Sequence, residues 1–165
     1  MVRFLAKEEY PRTRALSLAC FQDNAFDESF YVTTGAVYQN RIAVLEQDGE
    51  ILSMVQIAPR AAVIHGLKQP APYLMMVATR PEQRHRGYMD EVMQFVCTSL
   101  KEEGTPWTFL VAVDRNIYRH LGFSYDWPFA PNEADLLFAD DGLTLCSAKL
   151  LCAERFEVPE AIVLS

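Results

Sequence analysis

The stretch from Tyr73 to Lys101 leaves this chain few ways to fold, because a strand, a basic turn and a helix follow one another with almost no residues to spare. Tyr73 to Thr79 is a short apolar run without helical period, and Pro81, which has no N–H to give to a ladder, ends it near Arg80. Helical spacing then takes over. Met89, Val92, Met93, Val96, Cys97 and Leu100 form one apolar stripe, and Gly104 and Pro106 stop the helix. Between strand and helix lie Gln83, Arg84, His85, Arg86 and Gly87. A helix start exposes unpaired N–H groups and about half a positive charge, so it draws anions without a dedicated side chain. Gly87 would let a phosphate come close to the backbone, and Arg84 and Arg86 add fixed charge. The guest this pattern implies is a pyrophosphate, although an ordinary surface turn with solvated arginines has the same spacing.

Composition narrows the field. With 165 residues, half of them hydrophobic, residues 1–165 suit a single domain with an ordinary core. A net charge of -7 and a pI near 4.9 argue against nucleic acid or an anionic membrane as the main partner and favour a cationic one. Asp126, Glu133, Asp135, Asp140 and Asp141 fall between Arg119 and Lys149 with no Lys or Arg among them, either as a solvated acidic stretch or as a trap for a cation. Cys20, Cys97, Cys146 and Cys152 have neither paired spacing nor nearby histidines, so they read as buried thiols rather than a disulfide framework or a metal site. Charges interrupt the N-terminal apolar residues, and no run approaches about 18 apolar residues. A cytoplasmic protein without a metal is the expectation.

Taken in order, Val2 to Ala6 reads as a strand and Glu8 to Cys20 as a helix with Pro11 in its first turn. Arg41 to Glu46 and Ile51 to Ile57 flank Gln47-Asp48-Gly49-Glu50, the strongest short hairpin signal in the chain. Arg60 to Ile64 is expected to prolong the second of these strands, with His65 to Pro70 turning the chain toward Tyr73. After the main helix, Trp107 to Val113 reads as a strand parallel to Tyr73–Thr79. Asn116 to Leu121 gives one or two helical turns capped by Gly122, and Phe123 to Trp127 returns as a strand. Pro128 and Pro131 mark a loop, Asn132 to Asp141 could be helix or loop, and Leu143 to Leu151 is a candidate last strand.

The words of the basic turn, Val-x-x-x-Pro-x-x-Arg-x-x-Gly-x from Val77 to Tyr88, resemble the acetyl-coenzyme A signature of the GNAT superfamily of N-acetyltransferases. A second piece follows in the family's order: Phe109 to Val113, then Asn116-Ile117-Tyr118-Arg119-His120-Leu121-Gly122-Phe123. The resemblance covers roughly residues 1–127 and leaves 128–165 as a C-terminal strand or extension. It implies the GNAT fold, an α/β (or α+β) mixed twisted sheet of six or seven strands. Helices lie on both faces, the N-terminal half is antiparallel, and the central parallel pair splays apart. The family usually has Gly-x-Gly or Gly-x-Ala where this chain has Gly87-Tyr88-Met89. That variant, with Tyr118 thirty-one positions past Gly87, is most similar to the first domain of the longer enhanced-intracellular-survival acetyltransferases.

By the same resemblance, the main-chain groups of Val77, Ala78 and Thr79 would bind the pantetheine. The N–H groups of His85, Arg86, Gly87, Tyr88, Met89 and Asp90 would hold the pyrophosphate of acetyl-coenzyme A, with Arg84 or Arg86 near an adenosine phosphate and Asp114 and Asn116 as lesser contacts. Acetyl transfer needs a neutral amine, stabilisation of a developing oxyanion and a proton for the leaving thiolate. The resemblance gives that proton to Tyr118, whose phenol has an ordinary pKa of about 10. The implied acceptor is a small-molecule or peptidic primary amine, and the family's acceptor region corresponds to the aromatic and acidic segment Phe21 to Tyr31. No Asp, Glu or His lies within Tyr73 to Thr79, so the base is open between a water relay, an acid from Asp23 to Glu28 and, as the longer relatives imply, a terminal carboxylate. An acyl-coenzyme A binding module without turnover is the alternative function. A homodimer is the default assembly for such a domain.

Overall fold

The Asp48-Gly49 turn shows how directly local chemistry sets this architecture. Both residues take positive φ, 52° and 80°, as a two-residue hairpin turn requires, and the strands on either side pair antiparallel from Gln47↔Glu50 to Arg41↔Ile57. The structure, a computed structural model, describes residues 1–21, 40–64, 67–130, 145–151 and 162–164. Ten strands occur among them: β1 (Val2–Phe4), β2 (Arg41–Gln47), β3 (Glu50–Ala58), β4 (Ala61–Ile64), β5 (Leu67–Pro70), β6 (Tyr73–Thr79), β7 (Trp107–Leu110), β8 (Tyr125–Ala130), β9 (Leu145–Leu150) and β10 (Ile162–Leu164). Two α-helices join them, α1 (Arg14–Cys20) and α2 (Tyr88–Glu102). Among the described residues no helix is long and apolar enough to cross a membrane.

The chain divides into two units, Met1–Ala58 with Met75–Thr98, and Pro59–Leu74 with Ser99–Ser165. In the first, β1 pairs antiparallel with β2 and β2 with β3, and β3 is followed in the sheet by β6. Every residue of β3 from Ile51 to Ala58 is buried, polar Ser53 and Gln56 included, which explains why the sequence shows a continuous apolar run rather than alternation. The predicted stripe of α2 is the buried one: Val92, Met93, Val96, Cys97 and Leu100 are all buried, and Met89 is half-buried at the helix start. Each such side chain contributes about 1.5–3 kcal/mol on full burial, which outweighs the intrinsic preferences of the chain. The predicted first helix is tighter than expected. Lys7–Thr13 is 3-10 and α-geometry begins only at Arg14, because Pro11 has no N–H to offer an α-helical bond there.

In the second unit the first residues of β6 pair in parallel with β7, Tyr73↔Phe109 and Leu74↔Leu110. Beyond β7 the sheet continues through β9 and β8 by antiparallel pairing. The pairings give a mixed sheet of seven strands in the order β1-β2-β3-β6-β7-β9-β8, with antiparallel strands and one parallel pair, β6 with β7, as expected from the sequence. A core of aromatic rings fills the second unit. Trp107 packs edge-on against Trp127 with centroids 5.3 Å apart, and Tyr73 stacks on Phe109 at 5.0 Å.

Several boundaries differ from expectation. Residues from Arg60 to Ile64 do not prolong β3: Pro59 offers no donor, and Ala61–Ile64 forms β4, paired antiparallel with β5, where a turn was expected. The strand from Trp107 ends at Leu110 rather than Val113, and Val113 is almost fully exposed. Pro128 lies inside β8 opposite Leu145, not in a loop, since a proline at the end of a ladder forfeits little. β8 then runs parallel to β10, which pairs antiparallel with β4 and leaves β5 as the outermost strand. The Asp23–Glu28 segment, His65, Pro131, Asn132–Asp141 and Leu143 lie outside the described residues.

Candidate functional site

The basic turn belongs to the first unit, and its backbone alternates in hand. Arg84 is extended (φ -64°, ψ 161°), His85 has φ 63° and Gly87 φ 81°. Turns that combine negative and positive φ are a common setting for backbone N–H groups that bind anions. The Glu91 N–H donates to the Gly87 carbonyl at 3.1 Å, the first turn of α2. Among the described residues the amides of His85, Arg86, Gly87, Tyr88 and Met89 reach no acceptor. A Cβ built on Gly87 would meet nothing within 4 Å, so no other atom crowds this glycine. Arg84, His85 and Arg86 are exposed, Tyr88, Met89 and Asp90 half-buried. Arg80 anchors the approach to this turn: its N–H donates to Leu52 O at 2.9 Å, its Nε to Ile51 O at 3.1 Å, and its guanidinium pairs with Glu50 at 2.8 Å.

The end of β6 is tied down by side chains that sequence reasoning missed. The Ser53 hydroxyl donates to the Ala78 carbonyl at 3.0 Å and lies 2.9 Å from the Thr79 hydroxyl. The Cys20 thiol and Arg84 Nε both donate to the Thr79 carbonyl, at 3.3 and 3.4 Å. Ser53 could not be found from pattern, because it sits within an apolar run and its partner lies 25 residues away. Val77 and Thr79 are half-buried and Ala78 buried. Just before them Met76 takes φ 50°, a left-handed conformation that costs a non-glycine residue of order 1–3 kcal/mol. Such an outlier inside a strand re-aims the backbone groups that follow it.

Asn116 and Tyr118 belong to the second unit, on a 3-10 segment spanning Arg115–Leu121. Asp114 opens the segment by accepting from the Asn116 N–H at 3.0 Å, so its side chain serves as a cap, and Asn116 itself is exposed. Gly122 closes it with φ 89°. Tyr118 is half-buried, its ring edge-on to Phe123 at 6.3 Å, and burial alone raises its phenol above the usual value of 10. The phenol is therefore protonated at neutral pH.

Asp126 on β8 was counted with the acidic residues as a solvated stretch or a cation trap. Instead it is already paired. Its carboxylate contacts Arg115 at 3.1 Å, accepts from Arg119, and accepts from the Ser147 hydroxyl at 3.0 Å. Burial pushes this acid up, but the bonds from Arg119 and Ser147 and the charge of Arg115 hold it below the ordinary value. Lys149 Nζ donates to Leu121 O at 2.7 Å and sits over the Phe123 ring. No spacing rule could have joined Arg115 and Arg119 to Asp126, because the contact depends on how β8 returns after Gly122.

Residues 1–125 match the family model described as an acetyltransferase (GNAT) domain. The chain belongs to the GNAT acetyltransferase family. No curated protein matches it. Solved structures similar to this GNAT domain include a probable N-acyltransferase of unknown function from Enterococcus faecalis, at TM-score 0.67 and 21% identity over 74% of this chain and 31% of that one. Eis1 from Mycobacterium abscessus aligns at TM-score 0.65 and 16% identity over 78% of this chain and 33% of that one. A GNAT family acetyltransferase from Brucella melitensis, in complex with acetyl-CoA, aligns at TM-score 0.65 and 17% identity over 100% of this chain and 94% of that one. The chain spans about a third of the length of the first two, E. faecalis and Eis1. Amides without acceptors, an open glycine and two exposed arginines in the turn of this GNAT domain fit the pyrophosphate of acetyl-CoA.

Proposed function

We propose that this GNAT domain transfers an acetyl group from acetyl-CoA to a primary amine by direct attack. The observation that carries the proposal is the row of uncapped amides from His85 to Met89 at the start of α2. Bound acetyl-CoA supplies a thioester whose acetyl carbon is open to an amine. The turn would hold the pyrophosphate through those amides, with Arg84 or Arg86 near an adenosine phosphate, and the main chain of Val77, Ala78 and Thr79 would hold the pantetheine. Tyr118 would give its proton to the departing thiolate. Burial raises the phenol above its ordinary value, which keeps that proton in place across neutral pH until the thiolate departs.

The charge of -7 supports a cationic acceptor, a small molecule or a peptide amine, and a partner that is neither nucleic acid nor membrane. We place the protein in a reducing, cytoplasmic compartment, and as a homodimer. The Gly87-Tyr88-Met89 variant and the position of Tyr118 support kinship with the enhanced-intracellular-survival type. One observation favours a second reading, an acyl-CoA binding module without turnover: β6 offers neither carboxylate nor imidazole as a base. Thermal melting with acetyl-CoA and thiol release across a panel of amines separate the two. Acetyl-CoA at 100 times its dissociation constant should add about 2.7 kcal/mol of stability. No shift at millimolar acetyl-CoA refutes both readings, whereas a shift without thiol release for any amine selects the second.

A further inference from the structure

We propose that Asp126 is a positioning residue for Tyr118, its carboxylate gripping the arginines on either side of the tyrosine and fixing where the phenol stands. The inference rests on the reading of Tyr118 as the proton donor. Its physical starting point is the weakness of the element that carries Tyr118. A 3-10 helix has strained hydrogen bonds and seldom exceeds three or four residues, yet Arg115–Leu121 runs for seven. An element of that kind does not hold its own place; its neighbours must impose it.

The C-terminal end is imposed by the backbone and by two long side chains. Gly122 turns the chain at φ 89°, Lys149 Nζ holds the Leu121 carbonyl at 2.7 Å, and Arg119 Nη1 holds the Phe123 carbonyl at 3.1 Å. The N-terminal end has the Asp114 cap on Asn116 at 3.0 Å. Among the described residues, Asp126 is the side chain that reaches both sides of Tyr118 at once, through Arg115 three positions before it and Arg119 one position after. Both arginines meet the same oxygen, Oδ2. The other oxygen, Oδ1, accepts from Ser147, which is fully buried on β9. The carboxylate is thus held from below by the sheet and grips the 3-10 segment above.

This arrangement matters more for position than for stability. The Asp126 side chain is 28% exposed and the two arginines 35%, and ion pairs so open to water add little to folding. Two guanidinium groups converging on one carboxylate oxygen still fix the direction of the segment between them, and a reacting group misplaced by about 1 Å loses on the order of a hundredfold in rate.

The test uses the full chain with acetyl-CoA and the primary amine that gives the fastest thiol release in the panel. Asp126→Asn keeps the shape and the bond from Ser147 but removes the charge that holds the arginines. It should lower kcat roughly tenfold while the KM for acetyl-CoA stays within about twofold. Asp126→Glu, which keeps the carboxylate, should recover most of the loss. Hydrogen exchange in the unliganded protein should quicken across residues 115–121 in Asp126→Asn and stay unchanged in β9, a readout independent of turnover. The double variant Asp126→Asn with Tyr118→Phe should be no slower than Tyr118→Phe alone, because the two act through one group. Unchanged exchange at 115–121, or losses that multiply in the double variant, overturns the role of Asp126. If Tyr118→Phe by itself leaves kcat unchanged, the proton-donor reading fails instead, and that outcome is seen before the double variant is made.

Discussion

The two regions that carry the predicted residues are built in opposite ways. The turn from Arg84 to Met89 is made of backbone: its useful groups are amides, its shape comes from positive φ at His85 and Gly87, and its side chains mostly face solvent. The Tyr118 segment is made of side chains: a weak 3-10 backbone is fixed by Asp114, Arg115, Arg119, Asp126 and Lys149. A backbone-made site asks little of the sequence beyond one glycine and a helix start. A side-chain-made site needs several particular residues brought together by strand register, as Arg115, Arg119 and Asp126 are here.

The sharpest way to break this contrast is Tyr118→Phe. It should lower kcat by about a hundredfold or more while acetyl-CoA still raises the melting temperature, as measured by thiol release and thermal shift on one preparation. A joint loss of binding and turnover would mean that the two regions are not separable. Gly87→Ala should do the reverse. At φ 81° an alanine is strained by about 1 kcal/mol, although its methyl would meet no other atom. Acetyl-CoA affinity by calorimetry should fall about tenfold, with kcat at saturation changing less than twofold.

The smallest effect belongs to a side-chain cluster with no predicted catalytic part. Arg3 joins Glu9 at 2.6 Å and Glu46 at 2.7 Å, and Arg12 joins the same two acids. Hydrogen bonds from Arg3, with the Ala6 N–H, hold Glu9 at about 2, and those from Arg12 and Arg3 hold Glu46 below its ordinary 4.5. Acids depressed on folding stabilise the protein above their unfolded pKa of about 4.5, and that contribution disappears as pH falls toward 2. Melting temperature should therefore drop between pH 5 and 3 more steeply in the parent than in Glu46→Gln, and equal slopes would show the cluster to be energetically silent.

The contrast also explains what could be read in advance. Tyr73–Thr79, the α2 stripe, the Asp48-Gly49 hairpin and the Gly122 cap were legible because each depends on residues adjacent in sequence. The glycine with positive φ and the helix start of the basic turn were legible for the same reason. The β4–β5 hairpin was missed because its strands have four residues each, too few to show a period. The pairing of β10 with β8 and β4 was missed because it joins residues far apart in the chain. Ser53, Cys20 and Asp126 escaped on physical grounds as well: a hydroxyl in a buried strand, a thiol at a helix end and an acid after a turn acquire their roles only when register sets their neighbours.

The outer strands of the sheet carry a last consequence. β1 is three residues long with Arg3 at its middle, and β5 bears an exposed Lys68 and ends on Pro70, which has no amide hydrogen. Short length, fixed charge and a missing donor each spoil a strand as a template for another chain, so neither border invites the ladder-by-ladder growth that builds fibrils.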